Sequence, residues 1–329
     1  MSARLSVIVP FHNPGRWMAD WLDSLRAQTM GDFACIVVDD GSTDGSAAAL
    51  ASAVANDARF QILHQPNRGP AAARNAGLDR VRTPFLTFCD PDDTLPPDAY
   101  ARLVAAMASG SADYASGAVL RLSEGRLRRS GLHRRFHAEN RTLHPDDLGE
   151  LAFYDQLGPN KLFATAFFRT HVGGFPDQRR YEDIAPMTRA MLAARRIAVL
   201  SAPVYHWRTR EDGSSLTQGL GPAALADRLT ALRATLADVT ARRPDLRAAF
   251  LRKALRHDLS VHLRAAAGAD EDTRRATGGP VAEFQAEAGG DWAPGLAQIA
   301  VPLRNGRLRK ALGLIRADEA DSPPGFATR

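Results

Sequence analysis

The chain has 329 residues, of which 45% are hydrophobic and 24% are charged, and its formal net charge is +5. These values are ordinary for a globular protein, and the mildly basic balance suits an anionic substrate or surface without identifying either. No apolar run approaches the roughly 20 residues that span a bilayer. The N-terminus has no signal-peptide hydrophobic segment. We therefore expect a cytoplasmic protein, in which Cys35 and Cys89 are buried free thiols rather than a disulfide.

Short apolar runs alternate with helical segments in the first hundred residues. The runs at 5–10, 33–38, 60–63 and 85–88 are predicted strands, and the segments between them are predicted helices. Regular alternation of strand and helix predicts a parallel, doubly wound sheet with right-handed crossovers. In such sheets a ligand binds beyond the C-terminal ends of the strands.

Three of these strands end in residues suited to a ligand. Pro10 ends the first strand, Asp39 and Asp40 end the second, and the segment Asp90-Pro91-Asp92-Asp93 follows the run at 85–88. Hard cations prefer oxygen ligands, and two Asp side chains two residues apart on extended chain can face the same way. An ordinary acidic turn is the alternative, because Asp and Pro are common turn formers. Three strands that deliver such groups to one edge favour a ligand site.

The pattern changes after Tyr100. Further strands are predicted at 114–120 and 197–200, and a helix is predicted to begin at 181–184. The stretch Arg126–Arg135 contains five arginines and no acidic residue. We interpret it as a solvated loop or edge in preference to a phosphate-binding or acceptor-binding patch, and both interpretations stay open.

The composition changes again near Gly219-Leu220-Gly221-Pro222, which predicts a boundary between residues 1–219 and a mainly helical region at 220–329. Five apolar residues beyond it follow 4-3-4-3 spacing: Leu225, Leu229, Leu232, Leu236 and Val239. Two heptads favour packing within the monomer, with dimerisation through this seam as the alternative. Residues 242–264 contain seven basic and two acidic residues. This excess is a solvated helix face or, alternatively, a surface for anionic lipid headgroups or a polyanionic acceptor.

Five motifs, taken in order, resemble those of the family 2 glycosyltransferases. They are Val7-Ile8-Val9-Pro10-Phe11-His12-Asn13, Val38-Asp39-Asp40-Gly41-Ser42, Asn67-Arg68-Gly69-Pro70 with Arg74-Asn75, Asp90-Pro91-Asp92-Asp93, and Glu182-Asp183. Enzymes of that family have the GT-A fold and are inverting, nucleotide-sugar-dependent and usually metal-dependent. The resemblance covers about residues 5–216. It implies an α/β fold with a Rossmann-like, mostly parallel central sheet flanked by helices, followed by an α-helical C-terminal extension.

The resemblance also implies which residues hold the nucleotide. Pro10, Phe11 and His12 would border the nucleobase, with His12 in the position of the ring that stacks on uracil. Asp39 or Asp40 would accept a hydrogen bond from N3–H of the base, which favours uracil or thymine over purines.

Two further residues would bind the rest of the nucleotide. By the same resemblance, Asn67 and Arg74 would hold base, ribose or diphosphate, Arg74 as a charge-assisted donor.

Metal and phosphate contacts are implied in the same way. Asp92 would ligate Mn²⁺ or Mg²⁺, with Asp90 on the ribose or on metal-bound water, and Asp93 would support them or act as another ligand. His206 would be a metal ligand or a phosphate donor. Two arginines on the same segment would clamp the phosphates: Arg208 and Arg210.

Asp183 matches the position of the catalytic base, which would take the proton from the acceptor hydroxyl as that oxygen attacks the sugar. The implied activity is that of a hexosyl- or N-acetylhexosaminyltransferase using a UDP-sugar, with a cell-surface polysaccharide, a teichoic-acid-like polymer or a lipid-linked glycan as acceptor. A nucleotidyltransferase and a non-catalytic nucleotide-sugar-binding module are the alternatives. We expect no nucleic-acid partner, and contact with the inner face of the plasma membrane and homo-oligomerisation through the C-terminal helices stay open.

Overall fold

The computed structural model describes residues 3–129, 134, 136–147, 149–210, 219–289 and 298–320. The chain divides into two compact units, Met1–Asp212 and Gly213–Arg329. Part of the arginine-rich stretch identified in the sequence, including Arg135, lies outside the described residues. Among the residues that are described, no helix combines the length and the hydrophobicity needed to cross a membrane.

The first unit contains nine strands and six helices among its described residues. The strands are β1 (Leu5–Phe11), β2 (Phe33–Asp40), β3 (Phe60–Gln65), β4 (Phe85–Phe88), β5 (Tyr114–Ser123), β6 (Arg126–Arg129), β7 (Arg141–Leu143), β8 (Lys161–Ala164) and β9 (Ile197–Arg208). The helices are α1 (Met18–Arg26), α2 (Ser46–Ala53), α3 (Pro70–Leu78), α4 (Ala99–Gly110), α5 (Thr165–Phe167) and α6 (Ile184–Ala193).

All nine strands form one sheet in the order β3-β2-β1-β4-β8-β5-β9-β7, with β6 paired to β5. The first four strands are parallel, as the alternation of strands and helices predicts. β8 pairs antiparallel with both β4 and β5, and β9 is parallel to β5. Two reversals through β8 restore the original direction, so β5 and β9 end at the same edge of the sheet as β1, β2 and β4.

Helices cover both faces of the sheet at β1, and every residue of this strand is therefore buried. Its odd-numbered residues join a core cluster that also contains Trp21 of α1 and Leu103 of α4. On the other face, Ile8 meets α3 at Gly77, where an added Cβ would lie 2.5 Å from the Ile8 side chain. Gly77 therefore allows α3 to pack closely on β1, which places the residues that follow β1 beside the start of α3.

The second unit is helical in its described part. Its helices are α7 (Pro222–Arg242), α8 (Arg247–Lys253), α9 (Ser260–Ala266), α10 (Glu271–Ala288), α11 (Ala300–Arg304) and α12 (Leu308–Ala320). Of the five seam residues on α7, Leu225, Leu229, Leu232 and Val239 are buried. Because α7 packs against α8 and α10, this seam is used within the unit.

Several basic residues of the 242–264 segment are also used internally. Lys253 is buried and donates to Asp258 at 2.9 and 3.0 Å, and Arg256 is buried as well. Arg247 donates to the main-chain carbonyl of Ala288. These groups are withdrawn from the surface, so the exposed basic face is smaller than the composition indicates, and membrane adhesion by this segment stays a prediction.

Candidate functional site

The candidate site lies at the sheet edge where β1, β2, β4 and β9 end. His12 follows β1, and its Nε2 lies 3.1 Å from the side-chain nitrogen of Asn67 and 3.3 Å from that of Asn13. Both amide nitrogens are donors, so Nε2 is the acceptor in these two contacts. The structure therefore brings together His12 and Asn67, which the family resemblance implies hold the same nucleotide.

Pro10 and Phe11 differ from His12 in exposure. Pro10 is buried, and the Phe11 side chain is fully buried with its ring 6.2 Å from that of Trp21. Any contact between Phe11 and a nucleobase must therefore involve its main chain. The expected role of Pro10 and Phe11 beside the base stays a prediction.

Asp39 is buried at the end of β2 and accepts hydrogen bonds from the Ser42 amide and from Nδ1 of His64, each at 3.0 Å. Burial acts to raise the pKa of Asp39, but the hydrogen bonds from Ser42 and His64 outweigh it and the pKa lies below its usual value. The carboxylate is thus held ionised. Because each oxygen has two lone pairs, Asp39 retains capacity for a further donor.

Asp40 has a different task. It accepts from the amides of Arg68 and Gly69 at 2.8 and 2.7 Å, and from the Gln65 side chain at 2.7 Å. These three bonds hold the turn that carries Asn67. Of the two adjacent carboxylates, Asp39 is therefore better placed to receive N3–H of a base, and Asp40 supports the loop.

Arg74 is the centre of a buried charged cluster. Its guanidinium donates to Asp90 at 2.7 Å and to Glu182, and lies over the ring of Phe175. Burial lowers the pKa of Arg74, but the charges of Asp90, Glu182 and Asp183 raise it above its usual value. Arg74 therefore joins the acidic turn after β4 to the segment before α6. Its expected contact with ribose or diphosphate stays a prediction.

The two carboxylates that contact Arg74 are shifted in the opposite sense to Asp39. Burial raises the pKa of Glu182 to about 7, with Arg74 opposing this and Asp183 adding to it. Burial also raises the pKa of Asp90 against the attraction of Arg74, with Asp92 and Asp183 adding to the rise. The carboxylates at this edge of the sheet are thus close enough to disfavour one another's ionisation.

Asp183 occupies the N-cap position of α6 and is half-buried. Its charge acts on Arg74, Asp90 and Glu182, which places it within electrostatic range of the acidic turn. Tyr181, two residues earlier, has φ of 61°, a conformation uncommon for residues other than glycine. Strain of this kind is often kept at functional positions.

Residues of β9 hold the acidic turn through hydrogen bonds. The Tyr205 hydroxyl accepts from the Asp90 amide at 3.1 Å and donates to Oδ2 of Asp93 at 2.6 Å, and the Arg208 amide donates to Oδ1 of Asp93 at 2.7 Å. Burial, followed by the charges of Asp92 and Asp90, raises the pKa of Asp93. Both oxygens of the buried Asp93 are engaged inside the protein, which suits a support for the turn, and its alternative role as a ligand stays a prediction.

The two arginines expected to clamp phosphates contact the turn itself. Arg208 donates to the main-chain carbonyl of Asp92 at 2.6 Å and to Asp20 on α1 at 2.8 Å. Arg210 donates to Oδ2 of Asp92 at 2.8 Å and stacks over Trp17. Both arginines therefore lie beside Asp92, where a diphosphate is expected, and their phosphate contacts stay predictions.

His206 is positioned by Thr94. The two residues exchange main-chain hydrogen bonds of 2.9 and 3.3 Å, and Nδ1 of His206 lies 3.2 Å from the Thr94 hydroxyl. Burial lowers the pKa of His206, so the neutral ring is favoured. A neutral imidazole can ligate a metal, and the expected role of His206 as a metal ligand stays a prediction.

The donor set at the turn fits a hard cation only in part. Among the described residues, no three His, Cys, Asp or Glu side chains converge as a complete metal site. Asp90 and Asp92 each pair one carboxylate oxygen with an arginine, and the other oxygen accepts no hydrogen bond from a described residue. Mg²⁺ is commonly bound through one or two carboxylates with substrate phosphates completing its shell. The residues present therefore fit such a cation together with a diphosphate.

The most informative site residue that sequence reasoning missed is Tyr205. Its place in an apolar segment is typical of an ordinary buried strand residue. Nothing in the neighbouring sequence marks its hydroxyl as a link between Asp90 and Asp93. The sequence marks Glu182 only as the neighbour of Asp183. In both cases the contact joins residues more than a hundred positions apart.

Comparison with known protein families matches residues 6–172 to the family described as glycosyl transferase family 2. EpsH of Bacillus subtilis (strain 168) is 29% identical over 209 residues, covering 62% of this chain and 60% of EpsH. Glycosyltransferase GlyG of Streptococcus pneumoniae is 27% identical over 233 residues, covering 66% of this chain and 75% of GlyG. The match thus spans less than two thirds of the length of EpsH.

Solved structures share the fold. The crystal structure of residues 1–349 of TarS from S. aureus has a TM-score of 0.74 at 19% identity, covering 99% of this chain and 94% of that chain. The same TarS fragment in complex with UDP-GlcNAc also has a TM-score of 0.74, at 20% identity. The predicted fold class, a GT-A α/β sheet with a C-terminal helical extension, is confirmed.

Proposed function

The chain belongs to glycosyl transferase family 2, and from this premise we propose that it transfers one sugar, with inversion, from a UDP-sugar to an acceptor hydroxyl. The observation that carries the proposal is the convergence of Asp39, the turn at Asp90 and Asp92, and Asp183 at one edge of the sheet. The buried Arg74 links the last two by contacting both Asp90 and Glu182.

The donor end of the site divides its work between charge and shape. Asp39, held ionised, accepts N3–H of uracil, and His12 offers a ring face for the base with Asn67 beside it. TarS has been crystallised with UDP and with UDP-GlcNAc, which supports a uridine nucleotide as the first donor to test. Arg210 donates to Asp92, and a phosphate oxygen bound beside Asp92 would replace this carboxylate as its partner.

The chemistry at the sugar needs a base and a stabilised leaving group. Asp183 takes the proton of the acceptor hydroxyl as that oxygen attacks C1 from the face opposite the diphosphate. Direct displacement then inverts the anomeric centre. Mn²⁺ or Mg²⁺, when bound by Asp92 and Asp90, supplies Lewis-acid neutralisation of the charge that develops on the diphosphate.

Products distinguish this proposal from its rivals. The full chain is incubated with UDP-GlcNAc, UDP-glucose and UDP-galactose, Mn²⁺, and a panel of polysaccharide, teichoic-acid-like and lipid-linked acceptors. Free UDP together with a glycosylated acceptor supports the proposal. Released pyrophosphate overturns it in favour of nucleotidyl transfer. Binding of the sugar nucleotide with neither transfer nor hydrolysis overturns it in favour of a binding module. The cytoplasmic location and peripheral membrane contact stay predictions.

A further inference from the structure

The hairpin formed by β5 and β6 carries arginines that the proposed reaction does not use. All four residues of β6 are exposed, and its three arginines make no ion pair within the described part of the chain: Arg126, Arg128 and Arg129. Glu124, in the turn of the hairpin, is exposed and likewise pairs with no described side chain. The hairpin therefore presents positive charge that is not neutralised locally.

The register places three arginines on one face. Arg121 of β5 lies directly opposite Arg128, and Ser123 lies opposite Arg126. Residues paired in this way share a face of the sheet, so Arg121, Arg128 and Arg126 form a row, named here the arginine row. Like charges directly opposite each other destabilise a strand pair. An anion bound between them would remove that cost.

The arginine row adjoins the strand that supports the acidic turn. On the neighbouring strand β9, Trp207 is in register with Arg121, and Tyr205 is in register with Val119 two residues earlier. The Arg121 guanidinium lies 3.4 Å from the centre of the Trp207 ring. Tyr205, on the same face, binds Asp93 in the acidic turn. Arg121 therefore packs against β9, the strand whose buried Tyr205 holds the acidic turn.

We propose that the arginine row binds successive phosphate groups of an anionic polymer whose terminal hydroxyl is the acceptor. This inference rests on the proposed glycosyl transfer, and it adds the chemical class of the acceptor. Alternate residues of a strand are about 7 Å apart, so Arg126 and Arg128 contact groups spaced along a chain. Arginine suits phosphate because its guanidinium binds two oxygens at once.

A polymer accounts for the arrangement better than a lipid surface. The charges of the row are confined to one face of the strand pair β5–β6 rather than spread over a broad surface. The one large apolar side chain on β6, Leu127, lies on the opposite face of the strand pair from Arg126 and Arg128. The face that carries the charges thus offers no apolar group on β6 for insertion into a membrane.

The test compares two double variants of the full chain that remove the same charge. One is Arg126→Gln/Arg128→Gln. Its matched control is Arg80→Gln/Arg195→Gln, because Arg80 precedes β4 and Arg195 precedes β9 and both are exposed at the other edge of the sheet. The probe is fluorescently labelled inorganic polyphosphate, titrated in the presence of UDP at several salt concentrations, and vesicles of phosphatidylglycerol are titrated in parallel.

The row variant is expected to bind polyphosphate at least about tenfold more weakly than the wild type, and the control less than about twofold more weakly. The salt dependence of binding by the row variant should correspond to about one fewer released counterion per arginine removed. Equal losses in both variants would show general electrostatic attraction and overturn the inference, as would binding to vesicles without binding to polyphosphate. Thermal stabilisation by UDP is measured for each protein. UDP stabilisation reports the donor site alone. If UDP stabilises the row variant and its polyphosphate binding is unchanged, only the inference about the arginine row is contradicted. If UDP stabilises none of the proteins, the proposed function is contradicted.

Discussion

The hydroxyl of Tyr205 lies 2.6 Å from Oδ2 of Asp93, so a strand near the end of the first unit holds the acidic turn that follows β4. The same hydroxyl accepts the Asp90 amide. A residue with no expected role thereby positions Asp90, expected on the ribose or on metal-bound water, and Asp93, expected as a support or another ligand.

Tyr205→Phe tests this link. Removing the hydroxyl leaves the buried Asp93 carboxylate and the Asp90 amide without one partner each, and should cost about 1–3 kcal/mol of unfolding free energy. Chemical denaturation gives this value, and Mn²⁺-dependent stabilisation by UDP should weaken as well. Tyr100→Phe is the control, because the buried Tyr100 hydroxyl has no hydrogen-bond partner among the residues that the structure describes. A loss equal to that of the control would show that the link contributes nothing.

Arg74→Met should destabilise the fold strongly. Its loss leaves Asp90 and Glu182 buried without their counter-charge, at a cost of about 3 kcal/mol or more at pH 8. The cost should be smaller at pH 6, where Glu182 can bind a proton. Arg102→Met removes the exposed pair with Asp98 and should cost less than about 0.5 kcal/mol. Urea titrations of both variants at the two pH values provide the comparison.

The raised pKa of Glu182 predicts a specific pH dependence. Between its ordinary value of 4.5 and about 7 the folded state holds a proton that the unfolded state has released. Stability from this group is therefore fully present below pH 4.5 and is lost as pH rises toward 7, by an amount on the order of 1–3 kcal/mol.

Glu182→Gln should flatten the stability curve in this window, because the neutral side chain has no proton to release. Glu124→Gln, on an exposed carboxyl, should leave the curve as in the wild type. Melting or denaturation curves collected from pH 4.5 to pH 8 would measure the difference. A variant that kept the wild-type slope would mean that Glu182 is ionised throughout.

Asp183→Asn should fold normally and bind UDP as before, since the substitution changes little in size and removes only the base. Transfer should fall by about 10²- to 10⁴-fold in kcat. Asp177→Asn, an exposed carboxylate six residues earlier, should keep wild-type turnover. Full activity in Asp183→Asn would rule out this residue as the base.

Asp92→Asn should abolish the part of UDP stabilisation that depends on Mn²⁺, while leaving stabilisation by UDP alone. A bound ligand raises apparent stability by mass action, so thermal shifts with UDP, Mn²⁺ and both separate the two effects. The exposed Asp23→Asn is the control, and added EDTA should return the wild type to the level of UDP alone. Unchanged metal dependence in Asp92→Asn would exclude Asp92 as a ligand.

The local pattern was sufficient for the first four strands and the helices between them. Strand and helix periodicity act over a few residues, and the apolar runs at 5–10, 33–38, 60–63 and 85–88 lie within β1 to β4. Strands joined by helices in this way pair in parallel, and the right-handed crossover leaves few possible strand orders. For this reason Asp39, Asp90 and Asp92 could be expected at one edge before any contact was known.

The tertiary structure alone decided how that edge is held together. β8 enters the sheet in reverse between β4 and β5, and β9 reaches the acidic turn from far along the chain, neither of which any short window of sequence encodes. Arg74 meets Glu182 across 108 positions, and Tyr205 meets Asp93 across 112. Such pairs are chosen by the packing of whole elements, because the buried charges and hydroxyl must find partners wherever the fold places them.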